Sequence, residues 1–464
     1  MNGWTVGQLA SAVQGRLLAG DPGQRVGGLS LDSRRIAPGE AFLAIHGPHY
    51  DAHDFLAQAV AQGAACLIVS RVTEPLLRAA TILVQDTVQA LGSIAAAHRN
   101  RFELPVIAIT GSCGKTTTKE FIAHLLGRSE AVLKTYGTQN NHIGLPVTLT
   151  GLSAAHRYAV VELGSNHRGE IAYLANIASP TVAVITNVGP AHLEFFGSLI
   201  DVLQEKTSLL ESLRPGGVAV LPGDQMEVLL EAKRRLPPKT RVLTFGTSER
   251  CEVQGLDVRR EGTGISMRVR GILGRFHLPL PGAHNVENAL AALACLKALG
   301  HPLEEAQERL ASCGALPLRS QVIRSNGLTI VNDCYNANPL SFARALEILR
   351  DLDVKRKVVV AGDMLELGIY AQAAHRAIGR LAAQLGMHVI IGVGHFADDI
   401  ARGASEIDCS RSITCRTVDE LRRILPAILQ EGDGLLIKGS RKLRLEEVTE
   451  GLAQSNAEQH VSAA

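Results

Sequence analysis

One short stretch of the chain carries the residue types that bind a nucleotide phosphate. Residues 106–121 read VIAITGSCGKTTTKEF, which is an apolar run, a turn with two glycines, a lysine and then threonines. Gly111 and Gly114 let the backbone turn tightly with its NH groups facing one concavity, and a following helix adds the positive end of its dipole. Lys115 supplies a full charge, and the Thr116 hydroxyl is placed to meet a magnesium ion. The order of strand, turn and helix favours a phosphate site over a glycine turn with a solvated lysine.

Two further polar side chains follow apolar strands that should end at the same edge of a sheet. Glu162 ends the run YAVVE, and His192 comes after VAVITNV. A buried carboxylate is costly without a partner, and a magnesium ion on the nucleotide phosphates is one partner that suits its oxygens. A helix-capping glutamate and a packed or solvated histidine are the plainer interpretations, and the residues alone leave both open.

A lysine on an apolar helix face is the third candidate. The stretch SLIDVLQEKTSLLESL (198–213) predicts a helix in which Lys206 lies within an apolar stripe formed by Leu199, Val202, Leu203, Leu209, Leu210 and Leu213. Lysines more often extend their amine to solvent. Burial would instead lower the pKa of the amine, and a neutral amine can react with carbon dioxide to give a carbamate. The carbamate is an anion whose oxygens could bind a second magnesium ion.

Composition narrows the class of protein. The chain has 464 residues, of which 46% are hydrophobic and 20% charged, so we expect two or three folded domains. A formal net charge of +2 gives no bias towards nucleic acid or an anionic membrane. The cysteines are scattered without a CxxC pair, which indicates a reducing compartment and argues against zinc. Without a secretory leader or ~18 unbroken apolar residues, a cytoplasmic protein with no membrane span is expected.

Alternating apolar and helical stretches predict an α/β fold in three domains. These are an N-terminal domain at 1–104, a central domain at 105–315 and a C-terminal domain at 316–464, with the polar stretch RNRFELP at 99–105 as a linker. Strands that are apolar throughout predict a mostly parallel, P-loop-type central sheet, whereas period-two residues at 251–281 predict an antiparallel patch at its edge. The third domain should be Rossmann-like, and its tail at 453–464 should fray.

The phosphate loop differs from the usual pattern because Ile109 stands where a glycine is expected. Its form, TGSCGKTT, resembles that of the Mur ligases and the folylpolyglutamate synthetases, which use ATP to join a carboxylate to an amine. DSRRIAPGEAFLAIHG (32–47) is similar to the N-terminal UDP-binding segment of the Mur ligases, and Thr138 and His142 depart from the family pattern. Further blocks resemble Mur ligase segments in family order: QNNHIGLPVTL (139–149), VVELGSN (160–166), ITNVGPAHLEFFGS (185–198), LPGAHNVENALAA (280–292), NDCYNANP (332–339), VVAGDMLELG (359–368) and LIKGSR (436–441).

The resemblance implies a ligase that adds D-alanyl-D-alanine to UDP-N-acetylmuramoyl-tripeptide through an acyl phosphate, in the cytoplasmic synthesis of peptidoglycan precursors. It implies ATP, two Mg²⁺ ions and a carbamylated Lys206 as cofactors, and a monomer without nucleic-acid or membrane partners. The implied nucleotide contacts are Gly111, Ser112, Cys113, Gly114, Lys115, Thr116, Thr117, Asn285, Arg319 and Asp333. The implied metal ligands are Thr116, Glu162, His192 and Lys206, the catalytic groups Lys115, Lys206 and His192, and the substrate contacts Ser33, Arg34, Asn140 and Asn141.

Two alternatives remain at this stage. A folylpolyglutamate synthetase would perform the same chemistry on another substrate, but it should lack the domain that residues 1–104 provide here. An ATP-binding regulatory module without ligase activity would have no need of Glu162, His192 and Lys206 together. The sequence leaves open whether the third residue of the tripeptide is meso-diaminopimelate or lysine.

Overall fold

The computed structural model describes residues 3–47, 50–72, 79–127, 131–407 and 411–452, so the tail predicted to fray lies outside the described residues. Its first unit contains nine strands, of which five form one sheet with helices against it and four form two separate pairs. The strands are β1 (Trp4–Thr5), β2 (Arg16–Ala19), β3 (Arg25–Val26), β4 (Leu29–Ser30), β5 (Ala41–Leu43), β6 (His46–Gly47), β7 (Tyr50–Asp51), β8 (Cys66–Val69) and β9 (Ala80–Leu83). The helices are α1 (Val6–Ala12), α2 (Leu56–Ala61) and α3 (Thr87–Arg99). The sheet order is β2-β9-β8-β5-β4, and only the β2–β9 pair is antiparallel.

The second unit is a nine-stranded sheet in the order β11-β12-β10-β13-β14-β15-β16-β17-β18. Its strands are β10 (Val106–Thr110), β11 (Val132–Lys134), β12 (Tyr158–Glu162), β13 (Val182–Ile185), β14 (Val218–Pro222), β15 (Arg241–Gly246), β16 (Val253–Glu261), β17 (Gly264–Val269) and β18 (Phe276–Leu278). Its helices are α4 (Lys115–Leu125), α5 (Gly144–Thr150), α6 (Glu170–Ala178), α7 (Leu193–Phe196), α8 (Leu199–Thr207), α9 (Met226–Arg235), α10 (Ala283–Ala298) and α11 (Ala306–Ala311).

Both sequence predictions for this second sheet are confirmed. The apolar strands β10 to β15 pair in parallel, and β10 and β13 are buried along their whole length because helices cover both faces of the sheet. The period-two stretch forms β16, β17 and β18, which pair antiparallel at the sheet edge. The parallel arrangement brings the carboxyl ends of β10, β12 and β13 to one edge, where the phosphate loop lies.

The third unit is a six-stranded sheet in the order β19-β20-β24-β21-β22-β23. Its strands are β19 (Gln321–Ser325), β20 (Leu328–Asp333), β21 (Arg356–Gly362), β22 (Val389–Val393), β23 (Ser412–Cys415) and β24 (Asp433–Lys438). Its helices are α12 (Pro339–Asp351), α13 (Ala371–Gln384), α14 (Ala397–Ser405) and α15 (Val418–Ile428). All strand pairs are parallel except β19–β20, which fits the predicted Rossmann-like unit.

The apolar stripe predicted around Lys206 is wrong in part. Helix α8 ends at Thr207, and a 3-10 helix (Ser208–Ser212) follows, so the predicted residues do not lie on one continuous α-helix, although Val202, Leu209, Leu210 and Leu213 pack in one buried cluster. Leu199 is 49% exposed. Lys206 itself is 1% exposed, so the prediction that matters for the chemistry is confirmed.

The stretch at 99–105, predicted as a polar linker, packs against the second unit. Arg99, the last residue of α3, is fully buried, and its guanidinium donates hydrogen bonds to the carbonyl oxygens of Ala178, Ser179 and Phe102. Nearby, Trp4 Nε1 lies 3.1 Å from His98 Nδ1, and His98 Nε2 lies 3.0 Å from the Leu152 carbonyl oxygen. The first unit is therefore held to the second by buried polar contacts as well as by the chain. Among the described residues no helix is long and apolar enough to cross a membrane.

Candidate active site

A cavity of about 510 Å³ is lined by residues of both the second and the third unit. The second unit contributes the loop after β10, the end of β12 and the start of α10. The third contributes the segment from 314 to 344 and the end of β24. The carboxyl ends of parallel strands are where open α/β sheets bind ligands, so this is the place to look for chemistry.

The phosphate loop can be built only with glycine at two positions. Gly111 has φ +144° and Gly114 has φ +80°. A Cβ on Gly111 would lie 2.1 Å from Thr186 Oγ1, and one on Gly114 would lie 2.2 Å from Asn288 Oδ1. Helix α4 starts at Lys115 directly after the turn, as predicted, so its free NH groups face the cavity.

The loop is held by an asparagine that sequence reasoning missed. Asn187 Oδ1 accepts the Cys113 NH at 3.0 Å, and Asn187 Nδ2 donates to the Cys113 carbonyl at 3.0 Å. Ser112 Oγ donates to the Gly189 carbonyl at 2.8 Å. The only signal in the sequence is that Asn187 belongs to the ITNVGP stretch at the same sheet edge.

Lys115 is folded back onto its own loop. Its Nζ donates to the Gly111 carbonyl at 2.8 Å. Burial lowers the pKa of Lys115, and the nearby Glu162 carboxylate opposes that effect. A phosphate oxygen would offer the same ammonium a charged acceptor in place of a neutral carbonyl, which is a stronger hydrogen bond.

Glu162 is a buried carboxylate held by neutral donors. It is 1% exposed, and its two oxygens accept from Thr116 Oγ1 at 2.8 Å and from Asn140 Nδ2 at 2.7 Å. Its NH donates to Thr135 Oγ1, and it makes no ion pair with a described residue. Both of its oxygens are engaged inside the cavity, so it is not a helix cap, and a buried carboxylate whose direct partners are neutral donors suits a metal ion.

Lys206 is buried, and no carboxylate of the described residues forms an ion pair with it. Its Nζ donates to Ser165 Oγ at 2.7 Å and lies 5.6 Å from the centroid of the Phe196 ring. Burial, followed by repulsion from Lys115, lowers the pKa of the Lys206 amine to about 7. A large fraction of this amine is therefore neutral near neutral pH, which is the form that reacts with carbon dioxide.

His192 lines the cavity and immediately precedes α7. Its backbone is left-handed, with φ +53°, and its Nδ1 lies 2.5 Å from Glu366 Oε2 in the third unit. The described residues contain no group of three or more His, Cys, Asp or Glu that could hold a metal by themselves. A Mg²⁺ ion here would therefore draw part of its oxygen shell from a ligand, as Mg²⁺ on nucleotide phosphates does.

The opposite wall of the cavity carries a second set of charged groups. Arg319 stacks on Tyr335, with its guanidinium carbon 4.0 Å from the ring centroid. Asp333 accepts from the buried Lys438 Nζ at 2.6 Å and from the Ser320 NH at 2.9 Å. Asp333 is thus the anchor of a buried ion pair rather than a free turn residue.

The start of α10 presents two polar side chains to the cavity. Asn285 is buried, donates to the Pro281 carbonyl at 2.7 Å and accepts from Asn288 Nδ2 at 3.1 Å. The helix begins after Gly282 without a side-chain cap, so Asn285 lines the cavity instead of capping the helix. Burial, then Arg344, lowers the pKa of His284 to about 4.

Of the four predicted substrate contacts, Asn140 and Asn141 line the cavity, and Ser33 and Arg34 do not. Asn140 lies in the cavity on Glu162, whereas Asn141 Oδ1 accepts the NH groups of Ile143 and Gly144 at the start of α5. Ser33 is 3% exposed and donates to Gln58 Oε1. Arg34 is exposed and paired with Asp32, and both Ser33 and Arg34 lie in the first unit, outside the cavity lining. Thr138 and His142, the departures from the family pattern, line the cavity mouth.

Comparison with protein families gives one consistent answer along the chain. The model of the Mur ligase middle domain matches residues 109–296. The model of the Mur ligase, glutamate ligase domain matches residues 318–441. The model of the Mur ligase family, catalytic domain matches residues 25–99. The three matches follow the three sheets.

Individual relatives are similar over nearly the whole chain. UDP-N-acetylmuramoyl-tripeptide--D-alanyl-D-alanine ligase of Bacillus subtilis (strain 168) is 34% identical over 97% of this chain and 98% of its own length. A crystal structure of MurF from Acinetobacter baumannii, 34% identical, superposes with a TM-score of 0.89 over 97% of this chain and 99% of that one. The structure of MurF from Thermotoga maritima in complex with ADP is 28% identical and superposes with a TM-score of 0.82, over 94% of this chain and 99% of that chain.

Proposed function

The chain belongs to the Mur ligase family, and we propose that it uses ATP to join D-alanyl-D-alanine to UDP-N-acetylmuramoyl-tripeptide. The observation that carries this proposal is similarity to a ligase of that specificity at 34% identity over 97% of the chain, rather than over the nucleotide-binding unit alone. The cavity adds a glycine-turn phosphate loop, a buried carboxylate and a buried amine at one sheet edge.

The reaction needs two substitutions. A free carboxylate is a poor acylating agent because its leaving group would be oxide. A carboxylate oxygen of the tripeptide attacks the γ-phosphorus of ATP, the bond to the β,γ-bridging oxygen breaks, and ADP leaves. The dipeptide amine then attacks the carbonyl carbon of the acyl phosphate, loses a proton and expels inorganic phosphate, which leaves an amide bond.

The phosphate loop addresses the electrostatic obstacle in the first step. The attack brings an anionic carboxylate towards an anionic phosphate. Lys115 and the N-terminal end of α4 place positive charge where negative charge accumulates, and they are fixed before the substrate arrives. Arg319 and Asp333, on the far side of the cavity, and Asn285, at the start of α10, would hold the nucleotide in line.

The residues present fit a divalent cation beside the phosphates. Glu162 and Thr116 would hold one Mg²⁺ ion, and His192 with a carbamylated Lys206 a second, because each offers a donor atom that faces or adjoins the cavity. Bound Mg²⁺ would supply charge neutralisation on the phosphate oxygens. Carbamylation also fits Lys206 itself: the ammonium loses one proton, and the neutral amine adds carbon dioxide and loses a second, so a buried cation is replaced with an anion.

Domain roles follow from this assignment. The first domain, at 1–104, would bind the UDP end of the substrate, with Ser33 and Arg34 as contacts. The second, at 105–315, would bind ATP. The third, at 316–464, would close over the acyl phosphate to exclude water. The protein would act in the cytoplasm as a monomer.

The test is a substrate dropout. Phosphate release and a new UDP-linked product should require ATP, Mg²⁺, UDP-N-acetylmuramoyl-tripeptide and D-alanyl-D-alanine together. The assay is run with meso-diaminopimelate and with lysine as the third residue of the tripeptide. Equal turnover with a folate and glutamate would favour a folylpolyglutamate synthetase, although the family match at residues 25–99 speaks against that enzyme.

The carbamate has its own test. Lys206→Ala should be folded but nearly inactive, and a short carboxylic acid in solution should restore part of the rate by occupying the space that the side chain leaves. A carbon-13 carbamate signal after labelling the wild-type protein with bicarbonate identifies the group directly. A bare amine at Lys206 in an active, nucleotide-bound and Mg²⁺-bound crystal form would refute it.

A further inference from the structure

A short segment of the third unit docks on the helix that follows His192. Besides the side-chain contact between Glu366 and His192, the Glu194 NH donates to the Glu366 carbonyl at 3.1 Å. Tyr370, at the end of this segment, donates its hydroxyl to the Gly197 carbonyl at 3.1 Å. A Cβ on Gly368 would lie 3.1 Å from the Cα of Glu194, so the two backbones approach closely.

The two residues that meet at this interface both have unusual backbones. His192 has φ +53° and Glu366 has φ +62°, and neither is a glycine. Such conformations cost energy and persist where the surroundings enforce them. Here they aim the imidazole and the carboxylate at each other across the boundary between the two units.

The contact decides which nitrogen of His192 is free. The Nδ1–H of His192 donates a hydrogen bond to the Glu366 carboxylate oxygen 2.5 Å away, so the proton stays on Nδ1 and the lone pair is on Nε2. Nε2 has no hydrogen-bond partner among the described residues, and the ring lines the cavity. Lys442 and His167 are the other charged or titratable groups that interact electrostatically with Glu366, and neither forms a hydrogen bond with it.

We propose that Glu366 is a positioning residue that completes the metal site only when the third unit docks on the second. This inference rests on the proposed role of His192 as a metal ligand. Closure then has a chemical consequence beyond the exclusion of water, because it fixes the tautomer and the ring orientation of a ligand contributed by the other unit. The sequence separation of 174 residues explains why no local pattern could indicate the pairing.

The test measures metal affinity in the full chain without ligation. Mn²⁺ is titrated into protein with saturating ADP, and free Mn²⁺ is followed by electron paramagnetic resonance. Glu366→Ala should weaken Mn²⁺ binding about 10-fold or more, the usual consequence of losing a carboxylate behind a histidine ligand. Glu366→Gln should recover most of the affinity, because its amide oxygen can still accept from Nδ1.

A matched control separates the carboxylate from docking in general. Tyr370→Phe removes one hydrogen bond of the same docked segment but leaves His192 untouched, so its Mn²⁺ affinity should equal that of the wild type. In a His192→Ala background, Glu366→Ala should have no further effect. The inference is overturned if Glu366→Ala binds Mn²⁺ like the wild type, if Tyr370→Phe weakens binding equally, or if the effect survives in the His192→Ala background.

The outcomes also separate this inference from the proposed function. Suppose that Glu366→Ala loses Mn²⁺ affinity and that the wild-type protein does not ligate D-alanyl-D-alanine. That combination would overturn only the substrate assignment. A wild-type protein that binds no Mn²⁺ with ADP would overturn the metal site and this inference together.

Discussion

On the second unit's side of the cavity, the central wall, Glu162 lines the cavity and Lys206 lies behind the lining residue Ser165, and each is 1% exposed. The side chains of Arg344 and Glu366, which reach across from the third unit, are by contrast 16% and 39% exposed. The first pair has its partners within its own sheet and loops, so it is organised whether or not the third unit is docked. The second pair has its partners, Glu287 and His192, in the other unit. Partly exposed ion pairs of this kind contribute only about 0–1 kcal/mol each.

The difference in exposure indicates which contacts of this ligase should stay fixed and which should form and break during turnover. In the proposed mechanism, the groups that would stabilise the transferring phosphoryl group are preorganised in one unit, which is what electrostatic catalysis requires. The contacts between the units are weak enough to form and break in every turnover, as substrate entry and product release require. Changes on the central wall should therefore affect kcat, and changes across the boundary should mainly affect apparent affinity.

The largest effect should come from the central wall. Lys115→Ala removes a charge whose interaction strengthens as the γ-phosphoryl moves, so kcat should fall at least ~100-fold, the usual scale for a lost electrostatic stabiliser. Steady-state kinetics with a matched control, Lys134→Ala, checks this, because Lys134 is an exposed lysine of the same unit that is paired with Glu120. Near-normal kcat in Lys115→Ala would mean that the loop is only structural.

A smaller effect should appear in the pH dependence of Lys206 activation. Because burial lowers its pKa to about 7, the neutral amine fraction rises with pH, from about a tenth at pH 6 to about nine tenths at pH 8. After removal of carbon dioxide, added carbon dioxide at a fixed dissolved concentration should restore activity about 10-fold faster at pH 8 than at pH 6. Equal rates at the two pH values, or a response in Lys206→Ala, would contradict a titrating amine.

The smallest effect should come from the ion pair across the boundary. Arg344 Nη2 lies 2.5 Å from Glu287 Oε2, joining α12 to α10. Arg344→Ala should raise the KM for ATP up to about 5-fold with little change in kcat, because an exposed pair shifts closure by about 1 kcal/mol at most. Glu287→Ala should match it, and the double variant should add nothing. A large effect of Arg344→Ala alone would place the guanidinium on the ligand instead.

The same contrast explains what could be predicted from the sequence. The phosphate loop was predictable because its chemistry lies in consecutive residues whose order of strand, turn and helix is itself a signal. The burial of Lys206 was predictable from its place on α8, but the extent of the stripe was not, because the chain tightens into a 3-10 helix after Thr207.

Contacts between distant segments were not predictable. Asn187 holds the phosphate loop through Cys113, and Glu366 reaches His192, yet neither pairing leaves a periodic or local pattern. Asn140 and Asn141 both line the cavity, but the sequence did not show that they have different partners: Asn140 donates to Glu162, and Asn141 accepts the NH groups of Ile143 and Gly144. The short strands β11 and β19 give no clear signal in the sequence because each contains polar residues and is only partly buried, unlike the equally short apolar strands β10 and β13.

The central claim is that the cavity transfers a phosphoryl group from ATP to a carboxylate before the amide forms. Positional isotope transfer tests it most directly. The tripeptide substrate is labelled with oxygen-18 in both oxygens of its reacting carboxylate, and the released phosphate is analysed by mass spectrometry. An acyl phosphate predicts one oxygen-18 atom in the phosphate for each amide bond formed, because the bridging oxygen leaves with phosphorus. Unlabelled phosphate released together with labelled amide product would contradict the account.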